Sequence, residues 1–293
     1  MWSLELGSIG RARPITVLGL ALLTVGILSA GLSCSNGRAS TTVTVTTAIT
    51  AAPTTTAATA APATTTTAPT TTTTRAPTTT TTLATTIVNG VVIQPSYQVV
   101  QALGKVHALD SPGGVTVQTF EPLNVLEVVT TLLVIGPELG PGPMWYEVRL
   151  PCRPNGSTGW VSSDEVSATW VSTAIVVQLG THRLTLCDQG REVANYPICV
   201  GTATNPTPTG AFYVIGVLKD NPSGAYGPYA IGTSAFSETL TDWPYGGVVG
   251  IHGTNNPSSI GRSMSHGCIR LHNSDITQLA QKVSLGTPIF IVP

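Results

Sequence analysis

The 293-residue chain carries a formal net charge of −1 at pH 7, and charged side chains make up only 9% of it. That balance gives no electrostatic case for nucleic acid, and no basic helix pattern supplies a local patch. The low charge does not argue for membrane integration either, because a Thr-rich tract and an apolar amino terminus dilute it and no long apolar run follows residue 33.

In chain order, Arg11 and Arg13 precede an apolar run from Ile15 to Leu32, interrupted only by Thr, Ser and Gly. Residues 1–34 therefore read as an export signal, with Glu5 the one awkward residue in its basic region. Gly31-Leu32-Ser33-Cys34 resembles a bacterial lipoprotein signal, in which Cys34 becomes the lipidated first residue, although Gly31 stands where Leu or Val is usual. Lipidation at Cys34, cleavage nearby and an uncleaved anchor all stay open, since a spanning helix needs around 20 residues. Residues 35–86 follow as a linker. From Thr41 on it is almost entirely Thr, Ala and Pro with Arg75 as its one charge, a composition that cannot bury enough apolar surface to offset ordering entropy. At about 3 Å per residue its reach approaches roughly 130 Å.

Residues 87–169 change character. Val115 to Phe120, Leu123 to Val129, Leu132 to Ile135, Trp145 to Leu150 and Gly159 to Ser162 read as short strands, with breakers at Pro112, Gly136 to Gly142 and Pro154-Asn155-Gly156. Strands so closely spaced predict a small β-barrel. The stretch from Trp145-Tyr146 through Pro154-Asn155-Gly156 to Gly159-Trp160-Val161 resembles a bacterial SH3-type module, a common companion of wall enzymes. Two folded pieces, 87–169 and 172–293, are each long enough for a modest core.

If Cys34 is lipidated or removed and Cys268 is reserved for chemistry, Cys152, Cys187 and Cys199 remain, so at most one disulfide forms among them. Cys187 and Cys199 flank a turn at Asp188-Gln189-Gly190-Arg191 that is centred nearer Cys187, which gives no pairing. The loop from Asn221 to Gly247 is rich in Gly, Tyr and Pro. It is expected to overhang a groove with Tyr226, Tyr229, Trp243 and Tyr245 as its walls.

The most informative residues come last. Ser265-His266-Gly267-Cys268-Ile269-Arg270-Leu271 follows Ile251-His252-Gly253-Thr254-Asn255, which places one thiol and two imidazoles close together in a Gly-rich stretch. A thiol is a good nucleophile only as thiolate, and with a reference pKa of about 8.5 it needs a base, a role open to either His252 or His266. Gly267 leaves room for a substrate carbonyl at the backbone, and amides around Gly267 and Cys268 are placed to receive an oxyanion. Two other readings compete: ordinary packing of Cys and His, and a zinc site made of His252, His266, Cys268 and His272. Against zinc, no Cys-x-x-Cys or His-Glu pair completes a familiar spacing.

His252-Gly253-Thr254-Asn255 with Cys268 sixteen residues beyond His252, together with Ser265-His266-Gly267-Cys268-Ile269-Arg270-Leu271, resembles the catalytic signature of the L,D-transpeptidases of the YkuD type. The likeness extends more loosely over 172–293, through Pro206-Thr207-Pro208-Thr209-Gly210-Ala211-Phe212 and a closing Gly286-Thr287-Pro288-Ile289-Phe290-Ile291-Val292. It implies a mainly β fold: a sandwich or barrel-like catalytic domain, preceded here by the small SH3-like barrel.

It further implies Cys268 as nucleophile, His252 as base with the Gly253 carbonyl holding its tautomer, His266 as a secondary catalytic residue, and Gly267 with the Cys268 amide as oxyanion donors. Arg270 is left with two roles, binding a stem-peptide carboxylate or bracing Asp275. Ser265 and Asn255 are expected to hydrogen-bond the two loops, and Tyr229 to contact substrate. The implied activity is cross-linking of peptidoglycan stem peptides through a thioester, without metal or cofactor, outside the cytoplasmic membrane. The membrane would be met only through an amino-terminal lipid or anchor. A cysteine hydrolase trimming the same peptides, and a non-catalytic wall-binding protein, are the alternatives.

Overall fold

The structure, a computed structural model, describes residues 86–293 except Pro141 and Trp243. The expected export segment with Cys34, and the linker as far as residue 85, lie outside the described residues. Among the described residues no helix is long and apolar enough to cross a membrane.

Strands β1 (Thr86–Val88) and β2 (Val91–Ile93) form a hairpin over Asn89-Gly90, whose φ values of 50° and 81° are those a two-residue turn of the mirror-image type requires. Seven strands follow: β3 (Tyr97–Ala102), β4 (Val106–Leu109), β5 (Thr116–Phe120), β6 (Thr131–Val134), β7 (Trp145–Arg149), β8 (Thr158–Ser162) and β9 (Val166–Val171). They make one antiparallel sheet in the order β5-β4-β8-β7-β6-β3-β9. Period-two alternation is plain in β7, where Tyr146 and Val148 are buried between half-exposed neighbours.

Leu123 to Val129, expected as a strand, is instead a tight turn. Its ends meet in a Leu123–Val129 bridge, the Asn124 side-chain oxygen takes the Leu126 N–H at 2.8 Å, and Glu127 adopts φ 59°. The Asn side chain supplies the hydrogen bond that a strand partner would otherwise make.

From residue 173 on come β10 (Thr173–Gln178), β11 (Arg183–Asp188), β12 (Arg191–Pro197), β13 (Val200–Gly201), β14 (Gly210–Lys219), β15 (Tyr229–Phe236), β16 (Val248–His252), β17 (Ser263–Ser265), β18 (Ile269–Arg270) and β19 (Pro288–Val292). Eight of them form a mixed sheet in the order β12-β11-β10-β19-β14-β15-β16-β18, while β13 and β17 pair in parallel beside it. The sheets curl into a half-barrel. The expected turn at Asp188-Gln189-Gly190-Arg191 closes the β11–β12 hairpin. Cys187 faces Glu192 there, and the four described cysteines are free. The helix Asn273–Ala280 buries Ile276 and Leu279 in the core.

Ala174-Ile175-Val176-Val177 in β10 is buried without alternation because both faces of the strand are covered. Ile175 and Val177 pack with Leu184, Leu186 and Ile289, whereas Ala174 and Val176 pack with Val99, Val148, Tyr213 and Ile215. The Val99–Val176 cluster joins both sheets across residue 172, while the cluster around Ile175, Val177 and Ile289 lies wholly within 172–293. Tyr213 of β14, fully buried, reaches across to donate its hydroxyl to the Arg149 carbonyl at 3.3 Å.

Candidate active site

Strands β16 and β18 run parallel and adjacent, with Ile251 opposite Ile269 and His252 opposite Arg270. This pairing closes the sixteen-residue interval between His252 and Cys268 into neighbouring strand ends. The Gly250 N–H donates to the Cys268 sulfur at 3.4 Å. His252 is 4% exposed, and its Nδ1 lies 2.6 Å from the Gly253 carbonyl oxygen. A carbonyl can only accept, so Nδ1 carries the hydrogen and the Nε2 lone pair is left for proton transfer. The Tyr226 ring meets the imidazole edge-on, with centroids 4.7 Å apart.

Burial is the largest influence on both groups. It pushes the His252 pKa down to about 4, helped by the charge of Arg270 and opposed by the Gly253 bond and Asp220. It raises the Cys268 thiol, against the Gly250 N–H and Arg270, which both favour thiolate. At neutral pH the resting pair is thus a neutral thiol beside a neutral imidazole.

The turn that presents the thiol is braced from below. Gly267 has φ 112°, a conformation that disfavours any side chain. Ser265 Oγ accepts the Gly267 N–H at 3.1 Å and donates to the Cys268 carbonyl at 2.6 Å. Thr207, buried, donates to the Gly267 carbonyl at 2.8 Å and accepts the Gly201 N–H at 2.9 Å. The Gly267 amide, expected to face an oxyanion, is therefore engaged within its own turn. Two cavities open on the pair. One includes Tyr226, Ser237, His266 and Arg270; the other, of about 310 Å³, includes Leu126, Gly232, Gly250 and Tyr226; His252 and Cys268 line both.

A sequence model of the L,D-transpeptidase catalytic domain (YkuD) matches residues 172–291. The chain is 44% identical over 117 residues to a Bacillus subtilis protein, YkuD, whose name assigns it to the L,D-transpeptidases; the match takes in 40% of this chain and 64% of that one, just under two-thirds of the relative's length. It is 32% identical over 131 residues to Bacillus subtilis YqjB, likewise named an L,D-transpeptidase, covering 40% of this chain and 69% of the relative. The chain belongs to the L,D-transpeptidase family. A solved L,D-transpeptidase from Mycobacterium smegmatis aligns over 52% of this chain and 91% of its own, at 18% identity and a TM-score of 0.34.

Within this member of the family the predicted residues separate into two groups. Cys268, His252, His266 and Arg270 come together around one cavity, with Gly253 and Ser265 holding the first two. Arg270 is half-buried, and its Nε is buried with no hydrogen-bond partner. Among the described residues Lys105, beside Glu121, is the one Lys or Arg side chain within 4 Å of a carboxylate, so the Arg270–Asp275 brace does not form.

Asn255 is exposed, and Ser265 bonds within its own turn, so neither ties the two loops as expected. Asn273, at the start of the helix, instead links the Thr254 loop to the segment at Pro222: its Oδ1 accepts the Thr254 N–H at 2.8 Å and its Nδ2 donates to the Pro222 carbonyl at 3.1 Å. Tyr229 sits within β15 and packs against the core, whereas Tyr226 and Tyr245 of the same segment line the larger cavity. Trp243 is outside the described residues. His272 stands at the cap position of the helix, and no group of three or more His, Cys, Asp or Glu side chains among the described residues is placed to hold a metal. Thr207 and Asn273 act through bonds to backbone groups far off in sequence, which no local pattern announces.

Proposed function

We propose that this member of the family is a peptidoglycan L,D-transpeptidase acting outside the cytoplasmic membrane, with Cys268 as nucleophile and His252 as its base. The observation that carries the reading is the His252 tautomer: Nδ1–H is committed to the Gly253 carbonyl, and the ring lines the same cavities as the Cys268 sulfur. With thiol and imidazole both neutral at rest, the proton moves as the sulfur attacks, which is general-base catalysis rather than a preformed ion pair.

In the first half-reaction the Cys268 sulfur bonds to the carbonyl carbon of an L-centred residue in a stem tetrapeptide, and His252 takes the thiol proton. The amide C–N bond then breaks, and His252 returns the proton to the departing D-amino acid. In the second, an amine attacks the thioester and His252 accepts its proton; the C–S bond then breaks, and His252 gives that proton to the departing sulfur, restoring the thiol. The energy of the cleaved amide is held in the thioester, so no nucleotide is consumed. The Cys268 amide is assigned to the oxyanion, because the Gly267 N–H is already given to Ser265. Arg270, a permanently charged side chain that lines the smaller cavity, suits the carboxylate of the peptide, and His266 lines the same cavity.

Intact-protein mass spectrometry of the full chain with a stem tetrapeptide tests donor, nucleophile and reaction type together. A Cys268-linked acyl adduct that converts to cross-linked dimer when an acceptor amine is added is the expected result. Trimmed tripeptide alone, with amine present, assigns the protein to hydrolysis instead. Cys268→Ala should abolish the adduct while leaving the folded state intact, and a carbapenem should acylate the parent at Cys268.

A further inference from the structure

Three glycines line up across the second sheet: Gly216 of β14 pairs with Gly232 of β15, which pairs with Gly250 of β16. The Gly250 N–H then meets the Cys268 sulfur. With strands roughly 4.8 Å apart, this row makes a floor without side chains roughly 10 Å long that ends at the thiol. Its far end is filled from outside the sheet. Leu126, at the tip of the Leu123–Val129 turn, lies over Gly216 and Gly232 so closely that a Cβ on either glycine would overlap its side chain. The same leucine lines the larger cavity with Gly232, Gly250, His252 and Cys268.

That tip is held to the second sheet. Asn124 donates its side-chain amide to the Ile215 carbonyl at 2.8 Å while its oxygen fixes the Leu126 N–H at the same distance. A second loop of the first sheet holds the segment around Ser237, which lines the smaller cavity. Arg153 donates to the carbonyls of Gly246 and Ser237, both at 2.8 Å, and its guanidinium carbon stands 4.8 Å from the centre of the Phe236 ring. Asn155 bonds both the N–H and the carbonyl of Phe236. Both anchors fix loops of the first sheet at segments that line the two cavities.

We propose that Leu126 is a specificity-determining residue: it forms the end wall of the channel beside the thiol and limits the size of the donor residue, next to the scissile bond, that the channel admits. The inference rests on the acyl-transfer reading for its substrate, a peptide donor, and on the glycine row for its geometry. Shortening Leu126 lengthens the channel and admits bulkier residues; Leu126→Met keeps the reach of the wall.

The test has two arms on the full chain. In the first, alkylation at Cys268 by iodoacetamide and by N-phenylmaleimide is followed by peptide mapping. Leu126→Ala should raise the rate of the bulky reagent relative to the small one by roughly 10-fold, as for a pocket that gains the volume of a few methylenes, and Leu126→Met should not. In the second, acylation rates are compared for stem tetrapeptides bearing small or bulky side chains at the L-centred and at the terminal D-residue. Leu126→Ala should shift the preference toward the bulky donor at one of the two positions.

Unchanged ratios in both arms, or an equal loss for every donor and reagent, overturn the inference and leave Leu126 a packing residue. If the parent protein is acylated by no donor while the alkylation ratio still shifts, the transpeptidase reading fails and the wall stands.

Discussion

His252 is buried neutral, and that state has a thermodynamic consequence. Its folded pKa, about 4, lies below the unfolded value of 6.5, so the unfolded chain binds the proton first as pH falls. The contribution is complete above pH 6.5 and is lost as pH drops toward 4, an effect on the order of 3 kcal/mol at about 1.4 kcal/mol per unit. Urea midpoints at pH 7 and pH 4.5 should differ by more in the parent than in His252→Gln, which removes the titration; equal differences would refute the burial account. The same depression keeps His252 unprotonated through mildly acidic pH, so under the proposed mechanism it stays able to accept a proton there. The low-pH limb of acylation should therefore lie well below 6.5, and rates should climb on the alkaline side as the raised Cys268 thiol ionises.

At the scale of elements, the turn Ser265–Cys268 holds its shape through a hydroxyl sixty positions away. Thr207→Val keeps the volume but leaves the Gly267 carbonyl and the Gly201 N–H without their partner. Each buried group left unsatisfied costs about 1–3 kcal/mol. Denaturant unfolding should show that loss, and acylation should slow as the Cys268 amide drifts from the oxyanion position. A normal acylation rate in a destabilised variant would separate the support of the fold from that of the site.

The Leu123–Val129 turn teaches the matching lesson about local reading. Its apolar residues have strand propensity, yet Asn124 and the left-handed Glu127 fold the segment back on itself, and Leu126 gains its burial from a different sheet. Hydrophobic pattern alone does not distinguish a strand from an apolar turn whose partner is distant.

Over the whole molecule, the first and second sheets share one hydrophobic cluster through Val99, Val148, Val176, Tyr213, Ile215 and Phe290. Cutting the chain at residue 172 would expose that face. The full chain is expected to unfold in a single calorimetric transition, and residues 172–293 alone to lose cooperative unfolding; two separable transitions in the full chain would sink this view. Gly286, at φ 81° and against Val99 of the first sheet, is a point of contact where Ala is expected to cost more than about 2 kcal/mol, read as a fall in the same transition.

By itself the sequence determined the Cys-His motif, the family likeness and the β class, because each is written in contiguous residues whose chemistry or periodicity is local. Only the tertiary structure decided that Gly267 gives its amide to Ser265, that Asn273 links the Thr254 loop to Pro222, that Arg270 stands apart from Asp275, and that a leucine from the first sheet reaches the groove. Those outcomes depend on which backbone groups and side chains the two sheets bring within hydrogen-bond or packing distance. That is a property of strand order and register across more than a hundred residues, which no single stretch of the chain encodes.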